Sequence, residues 1–203
     1  MILCRTSNHK RRSSLSFLTT QGQQSALLAQ LEKQSWIDEI FNRTLPIPLQ
    51  YATRFGPPGF GRNVFYASKK RETTFFEFGY SLLKFQSILG RGVSAVCFEV
   101  KFQRKQKPMD VRAAKNRAAI LDPKSYRAAH LWIAALSSIP ESVRYPSVRE
   151  PAGGGINFAI YNPSAVATTR AEVEDLVLTP RADGSVDVES ITRGRLPAIR
   201  PIR

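Results

Sequence analysis

The sequence predicts an α+β protein with a mixed, mostly antiparallel sheet and flanking helices. Three observations lead there. Helical and strand patterns follow one another without the regular alternation of a parallel βαβ fold. Asp183-Gly184 lies between two apolar runs, which is a hairpin signal. Finally, 203 residues of which 42% are hydrophobic suffice for one ordinary core.

The elements read in order as follows. Residues 1–20, with Lys10-Arg11-Arg12 and several serines and threonines, read as a loose basic arm. Residues 24–41 place Leu27, Leu28, Leu31, Ile37, Ile40 and Phe41 three and four apart, an amphipathic helix that Pro46 and Pro48 stop. A Gly- and Pro-rich loop from Tyr51 to Asn63 leads into a strand over 64–68. Residues 72–83 read as a helix with Thr73, Phe76, Tyr80 and Leu83 on one face and Glu72 favoured at the positive end of its dipole. Val93 to Phe102, rich in β-branched and aromatic residues, is a strand. Helices are expected over 110–120 and 126–136, strands over 156–161, 172–179 and 185–191, and an irregular basic tail over 193–203. We expect one compact domain in three segments: an arm and helix (1–49), a core (50–163), and a hairpin with a basic tail (164–203).

Composition removes several functions. The two cysteines, Cys4 and Cys97, with His9 and His130, give neither a disulfide framework nor zinc-ligand spacing. No apolar run reaches membrane-spanning length, and the basic N-terminus has no long apolar segment behind it, so a cytoplasmic protein is expected. The formal net charge of +14 predicts an anionic partner: nucleic acid, a small anion or an acidic protein. The basic residues are dispersed and no nucleic-acid-binding motif is evident, so direct nucleic-acid binding is the weaker reading.

Three clusters carry candidate chemistry. The first is Arg54-Phe55-Gly56-Pro57-Pro58-Gly59, feeding the strand that bears Tyr66. It precedes a strand and contains two prolines, whereas a Rossmann loop follows a strand and opens a helix. The second is Glu77, flanked by Phe75, Phe76 and Phe78, a carboxylate at an apolar edge that requires a partner. The third is Tyr145-Pro146-Ser147-Val148-Arg149, running into Gly153-Gly154-Gly155. No G-x-S-x-G elbow surrounds Ser147, which argues against a serine hydrolase. A hydroxyl beside a guanidinium suits phosphate and ribose instead.

In this order the clusters resemble the RES domain, named for its Arg, Glu and Ser. Arg54 to Gly59, the strand Phe65-Tyr66-Ala67-Ser68, the helix Thr73 to Glu77, and Tyr145 to Arg149 followed by Gly154 and Asn157 to Pro163 each resemble a family segment. Gly56 stands where the family usually has asparagine. The resemblance implies a fold similar to ADP-ribosyltransferases and a toxin that breaks the nicotinamide–ribose bond of NAD. It implies NAD as substrate, with water or inorganic phosphate as acceptor and no cofactor required. It also implies an antitoxin with an Xre-like domain, and the excess positive charge suits an acidic partner. Glu77, Arg54 and Ser147 would be catalytic, with Arg54, Tyr66, Ser147, Arg149 and Asn157 holding NAD. A true ADP-ribosyltransferase and a basic nucleic-acid-binding protein are the competing readings.

Overall fold

A computed structural model describes residues 1–8, 53–58, 60, 64–84 and 88–202. The helix expected over 24–41 lies outside them. Among the described residues nine strands form one sheet: β1 (Ile2–Asn8), β2 (Phe65–Ser68), β3 (Val93–Phe102), β4 (Met109–Asp110), β5 (Ser142–Pro146), β6 (Ile156–Ile160), β7 (Val166–Pro180), β8 (Val186–Ser190) and β9 (Gly194–Ile199). Their order across the sheet is β4-β5-β6-β2-β1-β3-β7-β8-β9. Only the β4–β5 pairing is parallel, so the sheet is mixed and mostly antiparallel, as expected. Among the described residues the α-helices are α1 (Arg71–Leu83), α2 (Arg117–Ile120) and α3 (Arg127–Ala134). None is long and apolar enough to cross a membrane.

Alternation along the strands divides the core. One face of the sheet carries Leu3, Phe65, Ala67, Phe98, Val100, Phe102, Phe158 and Ile160. The other face holds two clusters. Cys4, Ala95, Cys97, Leu176 and Leu178 pack against Phe75 and Leu82 of α1. Val143, Tyr145 and Ala159 pack against Phe55, Ile120, Ala129 and Ile133. The strand surface where these two halves meet displays Tyr66, Ser68 and Asn157, because Ser68 pairs with Asn157 and Tyr66 with Ala159.

Four expectations need correction. Residues 2–8 are not a loose arm but β1, paired along its whole length with β3. Their pattern hid this, since Arg5 and Thr6 interrupt the apolar start. Arg5 sits in the sheet with its guanidinium 4.8 Å from the Phe65 ring centroid, and burial pushes its pKa down to about 10. The tail is not irregular throughout: β9 is an edge strand of the sheet, and Pro197 is tolerated there because it falls at a register shift and is not in the ladder with β8. The helix expected over 110–120 resolves into β4, a 3₁₀ turn over Val111–Ala113, and the single-turn α2. The face assigned to α1 was also offset, since Thr73, Phe75, Gly79 and Leu82 are buried while Phe76, Tyr80 and Leu83 are partly exposed. The hairpin is as read. Gly184 adopts φ of 86°, a left-handed conformation that favours glycine, and joins β7 to β8.

Candidate active site

Between α1 and the α2–α3 side of the sheet lies a cleft of about 350 Å³, within the usual size of small-molecule sites. Its chemistry centres on Glu77. On α1 the residues three and four positions on, Tyr80 and Ser81, and the C-cap residue Lys84 seven positions on line the same cleft, as helical geometry requires.

The Glu77 carboxylate is held through one oxygen. Ser147 Oγ donates to Oε1 at 2.8 Å and Asn157 Nδ2 donates to the same atom at 2.6 Å. Asn157 is oriented in turn by Ser68 Oγ, which donates to its Oδ1 at 2.5 Å. This order fixes the amide: its oxygen faces Ser68 and its nitrogen faces Glu77. Among the described residues no donor reaches Oε2, which is left to the cleft. Burial raises the Glu77 pKa, opposed by the Ser147 and Asn157 hydrogen bonds and by the charges of Arg149 and Arg54. Burial thus favours the neutral acid, and a cation brought beside it would favour the ionised carboxylate.

Ser147 lies in the turn after β5. Its backbone N–H donates to Gly155 O at 2.8 Å, and its Oγ accepts from the Arg149 N–H at 3.2 Å. A side chain at Gly155 would collide with Glu150 and Thr73, so the glycine run supplies the close approach that closes this turn. The serine hydroxyl is engaged on both sides and serves as a hydrogen-bonding support.

Arg54 occupies a turn in which Thr53 and Gly56 exchange backbone hydrogen bonds at 3.2 Å. Its Nη1 donates to Ile120 O at 2.8 Å and Asp122 O at 2.9 Å, and its guanidinium lies 4.8 Å from the Tyr126 ring centroid. Its Nη2 is buried and has no hydrogen-bond partner among the described residues. Burial lowers its pKa. The residue lines the cleft, and an anion reaching this nitrogen would satisfy a buried donor that the described protein groups leave unpaired.

Tyr66 lines the cleft, but its hydroxyl supports the Arg54 turn. Its Oη bonds Thr53 Oγ1 at 2.7 Å and accepts from the Phe55 N–H at 3.0 Å. Arg149 is committed further. Only 1% exposed, it donates to Ile202 O at 2.9 Å and Pro123 O at 2.6 Å, and stacks 3.3 Å from the Tyr80 ring centroid. The structure therefore brings five of the six sequence-predicted residues to the lining of one cleft, with Ser147 joined to it through its bond to Glu77 and with the Tyr66 hydroxyl and the Arg149 guanidinium engaged by the protein itself.

Sequence reasoning missed four contributors. Tyr80 and Lys84 were legible as cleft neighbours of Glu77 from helical spacing alone. His130, whose Nε2 lies 2.8 Å from Thr53 O, and Tyr126 come from α3 and its N-terminal boundary, and no local pattern announces them.

No curated protein matches the chain. The RES domain family model matches residues 27–179, wider on both sides than the motif-bearing stretch. That match covers most of the sequence and includes Arg54 and Glu77, which line one cleft, and Ser147, which bonds to Glu77. The chain belongs to the RES domain family.

Proposed function

We propose that this protein cleaves the nicotinamide–ribose bond of NAD and acts as a toxin by depleting it, on a fold similar to ADP-ribosyltransferases. The observation that carries this reading is the cleft-lining Glu77 carboxylate, fixed through Oε1 by Ser147 and Asn157 with no donor on Oε2 among the described residues. The bond from C1′ to the pyridinium nitrogen breaks with its electron pair on nitrogen, releasing neutral nicotinamide. Positive charge develops at the ribose, and Oε2 of Glu77 stabilises it without reorganising, because its partner oxygen is already held. A water or phosphate oxygen then bonds to C1′; with water, the proton passes to solvent. Arg54 Nη2 takes a pyrophosphate oxygen. Ser147 and Asn157 act by positioning Glu77, and Tyr66 by holding the turn that bears Arg54. The +14 net charge supports an acidic antitoxin as the neutralising partner.

The test is nicotinamide release from NAD by the purified chain, with and without inorganic phosphate. Glu77→Gln keeps an acceptor for Ser147 and Asn157 but removes the charge. Its rate is expected to fall on the order of 10²- to 10³-fold with NAD binding retained. A Glu77→Gln protein turning over at the parent rate sinks the assignment. Product carrying phosphate names the acceptor, and ADP-ribose found on protein or nucleic acid would favour transferase chemistry.

A further inference from the structure

One side of the cleft has no part in the chemistry at Glu77. Lys84 Nζ, on an exposed residue at the end of the α1 stripe, lies 4.7 Å from the Tyr80 ring centroid and 5.6 Å from that of Tyr126. Each ring also carries a guanidinium: Arg149 on Tyr80 at 3.3 Å and Arg54 on Tyr126 at 4.8 Å. Both tyrosines are partly exposed and line the cleft. The arrangement is an aromatic pair with a single mobile-chain ammonium occupying its rim.

Two arguments say which ligand such a rim takes. At about 1.5 Å rise per residue, Lys84 stands roughly 10 Å along the helix axis from Glu77. A group bound there is therefore not the one being cleaved. The charges decide the rest. Three cations surround the rings, which disfavours the cationic pyridinium and suits a neutral, electron-rich heterocycle whose neighbouring phosphate is anionic. Arg54, with its free Nη2, lies against Tyr126, so a phosphate gripped there would be adjacent to a base on that ring.

We propose that Tyr80, Lys84 and Tyr126 form a subsite for the purine base of the adenylate half of the dinucleotide, the base stacking on Tyr126 and Lys84 closing over it. This rests on the NAD-cleavage reading for the identity of the dinucleotide. Base–aromatic stacking contributes enough for loss of one ring to weaken binding on the order of tenfold.

Calorimetric titration of the full chain carrying Glu77→Gln with AMP, ribose 5-phosphate and nicotinamide mononucleotide tests it. AMP is expected to bind at least about tenfold tighter than ribose 5-phosphate, with Tyr126→Leu weakening AMP on the order of tenfold and Tyr126→Phe restoring it. Lys84→Ala, at an exposed position, is expected to weaken AMP severalfold and decides the matter should Tyr126→Leu fail to fold. The subsite is overturned if AMP binds no better than ribose 5-phosphate, or if Lys84→Ala and Tyr126→Leu weaken nicotinamide mononucleotide instead of AMP. Nicotinamide release by the parent chain without AMP binding would sink the subsite and leave the cleavage reading standing. AMP binding without nicotinamide release would do the reverse.

Discussion

Two buried arginines flank the cleft, and the contrast between them separates grip from support. Arg54 satisfies two backbone carbonyls, Ile120 O and Asp122 O, through Nη1 alone and keeps Nη2 free. Arg149 gives one nitrogen to Ile202 O and the other to Pro123 O. Both came from the same kind of sequence evidence, a guanidinium close to a motif residue. Their roles differ because a guanidinium has more than one donor edge, and what matters is which edge the fold consumes. An arginine beside a motif serine is therefore not by that fact a ligand-binding arginine.

The largest expected effect breaks the support. Arg149→Ala leaves two carbonyls without their charged donor and opens the stack on Tyr80, which should cost about 3–5 kcal/mol and lower the melting temperature on the order of 10 °C. Melting followed by circular dichroism reads this directly. Were the protein to keep its melting temperature and lose NAD affinity instead, the two arginines would share one role. Arg54→Lys sharpens the other side. A lysine ammonium can reach the carbonyls but has no second edge for the ligand, so NAD binding should weaken roughly 10- to 100-fold with a melting shift of only a few degrees. Titration calorimetry on the Glu77→Gln background separates the two readouts; equal affinity in Arg54→Lys would deny Arg54 its grip.

The smallest effect concerns how Glu77 is tuned. The ionised carboxylate is the working form, so activity falls as pH drops through its pKa. Ser147 donates to that carboxylate and so lowers its pKa. Ser147→Ala removes the donor, the pKa rises, and the acid limb of the pH–rate profile should move to higher pH. A profile that stays in place would leave Ser147 as turn architecture, bonded only to the Arg149 N–H.

What the sequence made legible follows this same division. Arg54, Glu77 and Ser147 were readable because each belongs to a local motif whose neighbours repeat the family's pattern. The direction of each side chain was not, because it depends on residues far away in the chain. Asn157 faces Glu77 only because Ser68, 89 positions earlier, claims its oxygen. Arg149 turns away because Pro123 and Ile202 claim its nitrogens. The fold shows the same limit. Strand β3, buried along most of its length, declared itself by composition, whereas β1 carries Arg5 and Thr6 and the edge strand β9 carries Pro197, so pairing partners and not propensity make them strands.

The two hydrogen bonds between Arg149 and Ile202 carry a temporal consequence. The Ile202 N–H donates to Arg149 O at 3.0 Å, while Arg149 Nη1 returns to Ile202 O across 53 positions of chain. A polypeptide leaving the ribosome N-terminus first exposes Glu77 and Ser147 well before Ile202 has been made. Until then the turn that presents Ser147 lacks its backing, and β7 has no β8 and β9 beside it. Long-range closure of this kind comes late in folding. On the proposed reading, the cleft would be completed only after this segment had been made, which would give a neutralising partner time to bind first.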